Sequence, residues 1–231
     1  MPNEAAQSQR RTIRALFSRI AHRYDLANRV MALGQDQRWR RAALCCADLP
    51  QGGKLLDVAS GTGDLAILAQ ALPESPSVAA SDLTFAMLRH ARAKASSLPL
   101  VVSDGLALSF SDGTFDAATS AFMMRNVPSV LEALREQARV VKPGGKIVCL
   151  EMTWPRGRLM GRLFRIYFFG LAPLVGGLLT GDRDAYEYLP RSVKRFMSPP
   201  DLADVMAAAG LRQVTWRTMM LGTVAIHVGT K

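Results

Sequence analysis

The sequence has few of the residues that bind metals or form disulfides: three cysteines and three histidines among 231 residues. None falls in a C-x-x-C, H-x-x-x-H or H-E-x-x-H spacing, so no metal site is predicted. We expect Cys45, Cys46 and Cys149 to behave as small buried apolar side chains in a reducing compartment. No apolar segment follows the first basic residues, so the sequence predicts a cytoplasmic protein without a secretory signal.

Long uncharged runs are scarce as well. The longest, residues 166–181, has 16 residues and contains Pro173 and several glycines. A membrane-spanning helix needs about 20 apolar residues, so no transmembrane segment is predicted. Yet 49% of the residues are hydrophobic, which excludes a disordered chain and predicts one domain over residues 1–231.

Acidic residues are outnumbered, 19 against 29 lysines and arginines, which gives a formal net charge of +10. The surplus lies in two segments. Residues 1–41 carry nine arginines and three acids, a net charge of +6, and residues 156–165 carry four arginines and no acid. Such a surplus favours a nucleic acid or an anionic lipid surface as partner. A solvated surface that keeps the protein soluble explains it equally well.

From residue 54 onward, short apolar runs alternate with helical patterns. The runs predict five strands, at residues 54–59, 77–82, 100–104, 115–122 and 146–151. Single helices between strands imply right-handed crossovers and a parallel sheet with helices on both faces. The helix after the fourth strand is expected to begin at Pro128 and to stop at the Pro143-Gly144-Gly145 turn.

The C-terminal part predicts a capped helix and a hairpin. Ser198, followed by Pro199 and by Asp201 three residues after the cap, is typical of a helix start. Two strand-like runs, residues 213–220 and 223–228, are joined by a turn too short for a parallel crossover. Five parallel units and a terminal antiparallel hairpin predict a seven-stranded, Rossmann-like α/β sheet, which suits a methyltransferase better than a six-stranded dehydrogenase.

Glycines and acids follow the first three strands. In chain order they are Gly61, Gly63, Asp82, Asp104 and Gly105. Glycines after a parallel strand let backbone N–H groups approach a ligand, and an acid 19 residues beyond Gly63 can accept hydrogen bonds from ribose hydroxyls. Each acid alone is equally a turn residue or a helix cap, and Asp57 is equally a residue that orients the glycine loop. Together, in this order, they favour an adenosyl cofactor.

Longer strings carry a more specific resemblance. Residues 104–116 and 139–146 resemble class I S-adenosylmethionine-dependent methyltransferases. Further strings resemble one family, the ubiquinone/menaquinone biosynthesis C-methyltransferases: Phe17–Asp25, Arg38–Arg41, Leu83–Leu88, Met124–Val127, Tyr188–Ser192 and Gly222–Gly229. The similarity runs from about residue 10 to the C-terminus.

This resemblance implies S-adenosylmethionine as cofactor, with Thr62 in the glycine loop, Asp82 at the ribose, and Asp104 with Gly105 near the adenine. Four residues depart from the expected patterns. Ala121 stands where the family frequently has a serine, Met123-Met124 replace a more usual Gly-Leu, and Ala59 departs from the general D-x-G-x-G-x-G pattern of the loop. Ala121 removes a side-chain hydrogen bond, and Ala59 leaves the loop one fewer free glycine. The Met123-Met124 departure concerns the shape of the pocket rather than the identity of the cofactor.

The resemblance also implies methyl transfer to a ring carbon of a prenylated hydroquinone, either a naphthoquinol or a benzoquinol. Arg125 would hold the phenolate and Asn126 would orient a water or a ring oxygen. Tyr24 and His22 are further candidates for closing the site and accepting a proton, and a structural role is the alternative for His22. The alternative is a solvated Arg125 and an Asn126 that caps the following helix.

Two segments lie outside the predicted sheet. Residues 1–50 are expected to form helices, and residues 152–197 form an insertion in which large apolar side chains follow the four arginines. A prenyl tail needs an apolar channel, so the insertion is interpreted as a substrate cap that contacts an anionic membrane peripherally. An ordinary buried helix pair and a homodimer contact are the alternatives.

Three rival functions are weighed against this interpretation. Methyltransferases that act on base amino groups place a [DNS]-P-P-[YFW] string after strand four, where this chain has residues 121–126, so no nucleic acid partner is predicted. A non-catalytic protein that keeps the adenosyl pocket is disfavoured because Arg125 and Asn126 are present. The terminal hairpin disfavours a nicotinamide dehydrogenase.

Overall fold

The computed structural model describes residues 4–155 and 157–231. Its centre is a seven-stranded sheet with the order β3-β2-β1-β4-β5-β7-β6. The strands are β1 (Lys54–Val58), β2 (Ser77–Asp82), β3 (Leu100–Val102), β4 (Phe115–Ala121), β5 (Val141–Met152), β6 (Arg212–Met219) and β7 (Val224–Thr230). Strands β1 to β5 pair in parallel, whereas β7 runs antiparallel to both β5 and β6. The predicted sheet and its terminal hairpin are confirmed.

Ten α-helices accompany the sheet within the described part of the chain. They are α1 (Glu4–Ile20), α2 (Tyr24–Met31), α3 (Asp36–Leu44), α4 (Asp64–Gln70), α5 (Phe85–Lys94), α6 (Val130–Val140), α7 (Arg158–Ile166), α8 (Ala172–Thr180), α9 (Arg183–Arg195) and α10 (Pro199–Ala208). A π-helical turn, Tyr167–Leu171, joins α7 to α8 without a break.

Successive side chains along the central strands point to opposite faces of the sheet, so the core is divided between the two faces. Leu55 packs with α3 and α4 on one face, while the next residue, Leu56, packs with α6 and α10 on the other. Both side chains are completely buried, as expected for a parallel strand covered on both sides. Because β1 lies beside β4 although β2 and β3 intervene in the chain, a crevice opens at the carboxyl ends of β1 and β4.

Two predicted boundaries around α6 were wrong. The helix begins at Val130, where the hydroxyl group of Ser129 accepts the N–H of Glu132 at 3.3 Å, so Pro128 precedes the helix and Asn126 does not cap it. The Pro143-Gly144-Gly145 turn lies inside β5, where the register against β4 shifts. At α10 the predicted cap is confirmed: the Asp201 carboxylate accepts the Ser198 backbone N–H at 3.1 Å.

Helices of the predicted insertion and of the N-terminal segment pack together. Helix α8 packs on α9 and on α2, and side chains of α1, α5 and α9 share one apolar cluster. The helices α8 and α9 approach so closely at Gly176 that an added Cβ would lie 2.3 Å from the Tyr186 ring. The N-terminal helices and the insertion therefore form one layer beside the carboxyl ends of the strands.

The helix that continues from α7 into α8 differs from the expectation for its sequence. Within the described residues, Gly161–Thr180 is long and apolar enough to cross a membrane by length and composition. The prediction counted only the uncharged run, whereas this helix begins earlier and includes Arg162 and Arg165. About a third of it is buried against the rest of the chain.

The cysteines behave as predicted at only one position. Cys149 is buried in β5, and burial raises the pKa of its thiol to about 12. Cys46 is half-buried and Cys45 is exposed, because the short turn after α3 carries them to the surface. In residues 4–155 and 157–231, no cluster of three His, Cys, Asp or Glu side chains is placed to hold a metal ion.

Candidate active site

The glycine loop and Asp82 form one hydrogen-bonded unit at the carboxyl ends of β1 and β2. The Asp82 carboxylate accepts the backbone N–H of Gly61 at 2.8 Å and that of Thr84 at 2.7 Å. Burial raises the pKa of the Asp82 carboxyl group, and these two hydrogen bonds partly offset that rise. Each carboxylate oxygen keeps a second lone pair, so the unit can still accept hydrogen bonds from a ribose.

Four of the six predicted cofactor residues line one cavity of about 100 Å³. These are Gly61, Asp82, Asp104 and Gly105. Asp104 accepts the backbone N–H of Leu106 at 3.0 Å and pairs with Arg10 of α1 at 3.0 Å, so α1 covers the Asp104 end of the cavity. An added Cβ at Gly105 would lie 2.2 Å from the terminal methyl group of Met123, so that flexible side chain would have to shift. Carboxylates, backbone amides and the apolar Leu83 and Leu106 fit an adenosyl group.

Thr62 and Gly63 are placed differently from the other four. The Thr62 hydroxyl group donates to the Asp25 carboxylate of α2 and lines a smaller cavity beside the loop. Gly63, with φ of +82°, precedes α4, and an added Cβ would lie 3.1 Å from Ala91 of α5. The position therefore needs a glycine for its backbone angle and for close packing, and Gly63 does not line the cofactor cavity.

A separate, mostly apolar cavity of about 310 Å³ lies next to the cofactor cavity. The N-terminal helices, the insertion and the turn before β7 all contribute to it, through Met31, Leu33, Trp39, Phe164, Phe168, Leu189 and Leu221 among others. Tyr24 and Phe122 line both cavities. Phe122 has a φ of +61°, which is rare for a bulky residue and occurs mainly where the surrounding structure imposes it.

Arg125 lies at the apolar cavity but is not solvated, contrary to the alternative interpretation. Its side chain is only 6% exposed and pairs with the buried Glu151 at the end of β5. Glu151 also accepts the backbone N–H of Arg125 at 3.3 Å. The Nε atom of Arg125 is buried without a hydrogen-bond partner. The sequence prediction missed Glu151, although its place at a strand end was a usable signal.

Asn126 lines the cofactor cavity, with both ends of its side chain already engaged. Its amide nitrogen donates to the Phe122 carbonyl oxygen at 3.0 Å, and its amide oxygen accepts the Tyr188 hydroxyl group at 3.0 Å. Burial raises the pKa of Tyr188. Asn126 therefore connects the loop after β4 to α9, a role that the sequence analysis did not predict. His22 is exposed on the turn before α2 and does not line either cavity.

The sheet and its strand-end cavity define a class I S-adenosylmethionine-dependent methyltransferase. A methyltransferase from Thermotoga maritima has the same fold, with a TM-score of 0.67 at 19% identity, over 94% of this chain and 98% of that one. A phosphoethanolamine N-methyltransferase from Haemonchus contortus, solved with S-adenosylmethionine, gives 0.62 at 14% identity, over 83% and 52%.

The chain belongs to the ubiE/COQ5 methyltransferase family, whose model matches residues 4–231. A demethylmenaquinone methyltransferase from Thermus thermophilus is 43% identical over 94% of this chain and 100% of its own length. The ubiquinone/menaquinone biosynthesis C-methyltransferase UbiE from Geobacter sulfurreducens is 40% identical over 95% of this chain and 88% of its own length. The family predicted from the sequence strings is confirmed.

Proposed function

We propose that this enzyme transfers the methyl group of S-adenosylmethionine to a ring carbon of a prenylated hydroquinone, converting demethylmenaquinol to menaquinol. The observation that carries the proposal is the pair of adjoining cavities, which share Tyr24 and Phe122: one contains the carboxylates of Asp82 and Asp104, and the other is mostly apolar. The demethylmenaquinone methyltransferase name of the Thermus relative supports the naphthoquinol ring. The UbiE name supports a polyprenyl benzoquinol as the alternative acceptor.

The bound cofactor supplies an electrophilic sulfonium methyl group, so the acceptor carbon must be electron-rich. A hydroquinol meets this need once a hydroxyl proton is lost, because the phenolate places negative charge on the neighbouring ring carbon. We assign Arg125 to the ring oxygen: its unpartnered Nε can donate a hydrogen bond, and its positive charge lowers the pKa of the bound hydroxyl group. Glu151 fixes the guanidinium plane.

Tyr24 is assigned to the boundary where the methyl group passes. It lies at the start of α2 and lines the cofactor cavity, the apolar cavity and the small cavity beside the glycine loop. Its hydroxyl group would accept or relay the phenolic proton while its ring excludes water. Asn126 is assigned a positioning role, because its amide holds Tyr188 and the Phe122 carbonyl group.

The mouth of the apolar cavity supports peripheral contact with the inner face of the cell membrane, and hence a cytoplasmic enzyme that takes its acceptor from the bilayer. Leu33 and Leu221 line the cavity and are 78% and 74% exposed. Large exposed apolar side chains continue along the outer face of α7 and α8: Leu163, Ile166, Phe169, Leu171, Leu174 and Leu178. Arg162 and Arg165 on the same helix are exposed and suit anionic headgroups.

The direct test uses labelled S-adenosylmethionine with reduced demethylmenaquinone and, in parallel, a reduced polyprenyl benzoquinol precursor. We expect label in the naphthoquinone product and none when the acceptor is supplied oxidised. Label only in the benzoquinone would move the assignment to ubiquinone biosynthesis. Absence of labelled product with both reduced acceptors would overturn the proposed function.

The role of Arg125 is tested without leaving a buried charge unpaired. The double variant Arg125→Met/Glu151→Gln replaces the pair with neutral groups of similar size, because removing one partner alone would destabilise the fold. We expect kcat to fall by at least about 100-fold while S-adenosylhomocysteine affinity is kept. Arg125→Lys keeps both charges of the buried pair and serves as the control, with a smaller expected loss of kcat. An unchanged kcat in the double variant would exclude Arg125 from the mechanism.

A further inference from the structure

A third, smaller cavity adjoins the cofactor cavity beside the glycine loop. The two share Tyr24, Ala59, Gly61 and Ala121 in their linings. The rest of the small cavity is lined by side chains that the adenosyl group does not need, among them Arg40 and Asp57. A ligand lying along Asp104, Asp82 and Gly61 would therefore extend its far end into this space.

Three buried polar atoms around this small cavity have no hydrogen-bond partner in the structure: Arg40 Nε, Asp57 Oδ2 and Ser60 Oγ. Buried polar atoms in native proteins are nearly always hydrogen-bonded, so three of them around one cavity indicate a polar ligand. One atom belongs to a cation that only donates, one to a carboxylate and one to a hydroxyl group. This combination matches a ligand end that carries both a negative and a positive charge.

Arg40 is the cation in this set, and its surroundings hold it in place without using its hydrogen bonds. Its side chain is 7% exposed, and its guanidinium group lies 5.5 Å from the centre of the Phe122 ring. The nearest carboxylate oxygen, on Asp36 of the same helix, is 4.0 Å from Nε, which is beyond hydrogen-bond distance. On the sheet side the guanidinium faces the buried Asp57.

We propose that Arg40 binds the α-carboxylate group at the methionine end of S-adenosylmethionine, and that Asp57 and Ser60 receive its α-ammonium group. The strand ends then hold the adenosyl half of the cofactor, whereas α3 of the N-terminal segment holds the amino-acid half. Arg40 also lines the apolar cavity, so one side chain touches both the cofactor site and the acceptor site.

The test compares two ligands that differ in the amino-acid end. S-Adenosylhomocysteine carries the carboxylate and ammonium groups, while 5′-methylthioadenosine ends at the thioether and has neither. In the variant Arg40→Met, calorimetry should show at least about a tenfold loss of S-adenosylhomocysteine affinity. The affinity for 5′-methylthioadenosine should change by no more than about twofold, and its binding also shows that the variant is folded.

Arg41→Met is the matched control, because Arg41 lies on the same helix but is exposed, and both affinities should stay unchanged. Equal losses for the two ligands in Arg40→Met would overturn the proposal, since Arg40 would then act on the general shape of the site. Unchanged affinity for S-adenosylhomocysteine would overturn it as well. If Arg40→Met does not fold, Arg40→Lys replaces it, and a loss confined to S-adenosylhomocysteine remains the required result.

Discussion

The fold shifts the pKa of Asp57, and the shift has a measurable consequence for stability. Asp57 is completely buried near the end of β1, and that burial raises the pKa of its carboxyl group to about 7, against the opposing effects of Arg40 and of a hydrogen bond from Thr119. A group buried among strands with one unpartnered oxygen is costly when charged. The folded protein therefore holds a proton on Asp57 at pH values where the unfolded chain has lost it.

The predicted consequence is a loss of stability with rising pH. Below about pH 4 the carboxyl group is neutral in both states, and its contribution is fully present. Between pH 4 and 7 only the folded state keeps the proton, so the free energy of unfolding falls by about 1.4 kcal/mol per pH unit from this group. Urea unfolding across this range should show a shallower decline for Asp57→Asn than for the wild type.

The control for this experiment is Asp204→Asn, which removes an exposed carboxylate on α10 and should leave the profile parallel to that of the wild type. If Asp57→Asn also runs parallel to the wild type, Asp57 titrates normally in the folded protein. That result would contradict the environment described for the small cavity.

Single residues also mark how far sequence reasoning reached. The order of strand-end residues predicted that Asp82, Asp104 and Gly105 lie together, as they do, because parallel strands bring their carboxyl ends to one edge. Arg40 was counted as part of a basic surface segment, and its burial follows from how α3 packs on the sheet. Glu151 was assigned to a strand, and its partnership with Arg125 depends on a contact between distant parts of the chain.

At the scale of elements, local sequence signals were accurate where one residue type dominates the local energy. The cap at Ser198 predicted α10, and the short turn after β6 predicted the hairpin. Local signals failed at both ends of α6. Ser129, not Asn126 or Pro128, accepts the capping hydrogen bond at its start, and residues 141–145 after its end belong to β5. Pairing with neighbouring strands decided that boundary, and pairing cannot be read from a local window.

The contact between α8 and α9 supports an element-scale prediction. In Gly176→Ala the new methyl group would meet the buried Tyr186 ring, so the two helices must separate, at a cost of about 1–3 kcal/mol. Gly170→Ala is the matched control, because nothing lies within 4 Å of an added Cβ there. Thermal unfolding should distinguish the two variants, while S-adenosylhomocysteine affinity, which depends on the strand ends and on α3, should remain unchanged in both. Equal stability of the two variants would show that α8 and α9 can adjust without cost.

At the scale of the whole molecule, the sheet and the helical layer contribute different chemical groups to the site. The strand ends supply the carboxylates and backbone amides of the cofactor cavity, and the helical layer supplies the apolar cavity and its exposed mouth. The sequence placed the excess positive charge in two segments, but it did not show what those arginines contact. The described arginines of those segments now divide into Arg10 and Arg40, which face the cofactor site, and exposed ones such as Arg162 and Arg165.

The exposed face of α7 and α8 should bind lipid. Leu174→Asp/Leu178→Asp introduces two charges on side chains that are 55% and 77% exposed, so folding should be unaffected. Sedimentation with anionic phosphatidylglycerol vesicles should fall by at least about tenfold, because two leucines no longer enter the bilayer.

Methyl transfer to a short-chain, water-soluble hydroquinol should be retained in this variant, whereas transfer to a long-chain acceptor embedded in the vesicles should be lost. Thr218→Asp adds a charge on exposed β6, at the sheet edge, and should change neither. A variant that binds vesicles as the wild type does would refute the membrane assignment. So would light scattering that shows a wild-type dimer and a monomeric variant, since the same face would then be the contact between two copies of the chain.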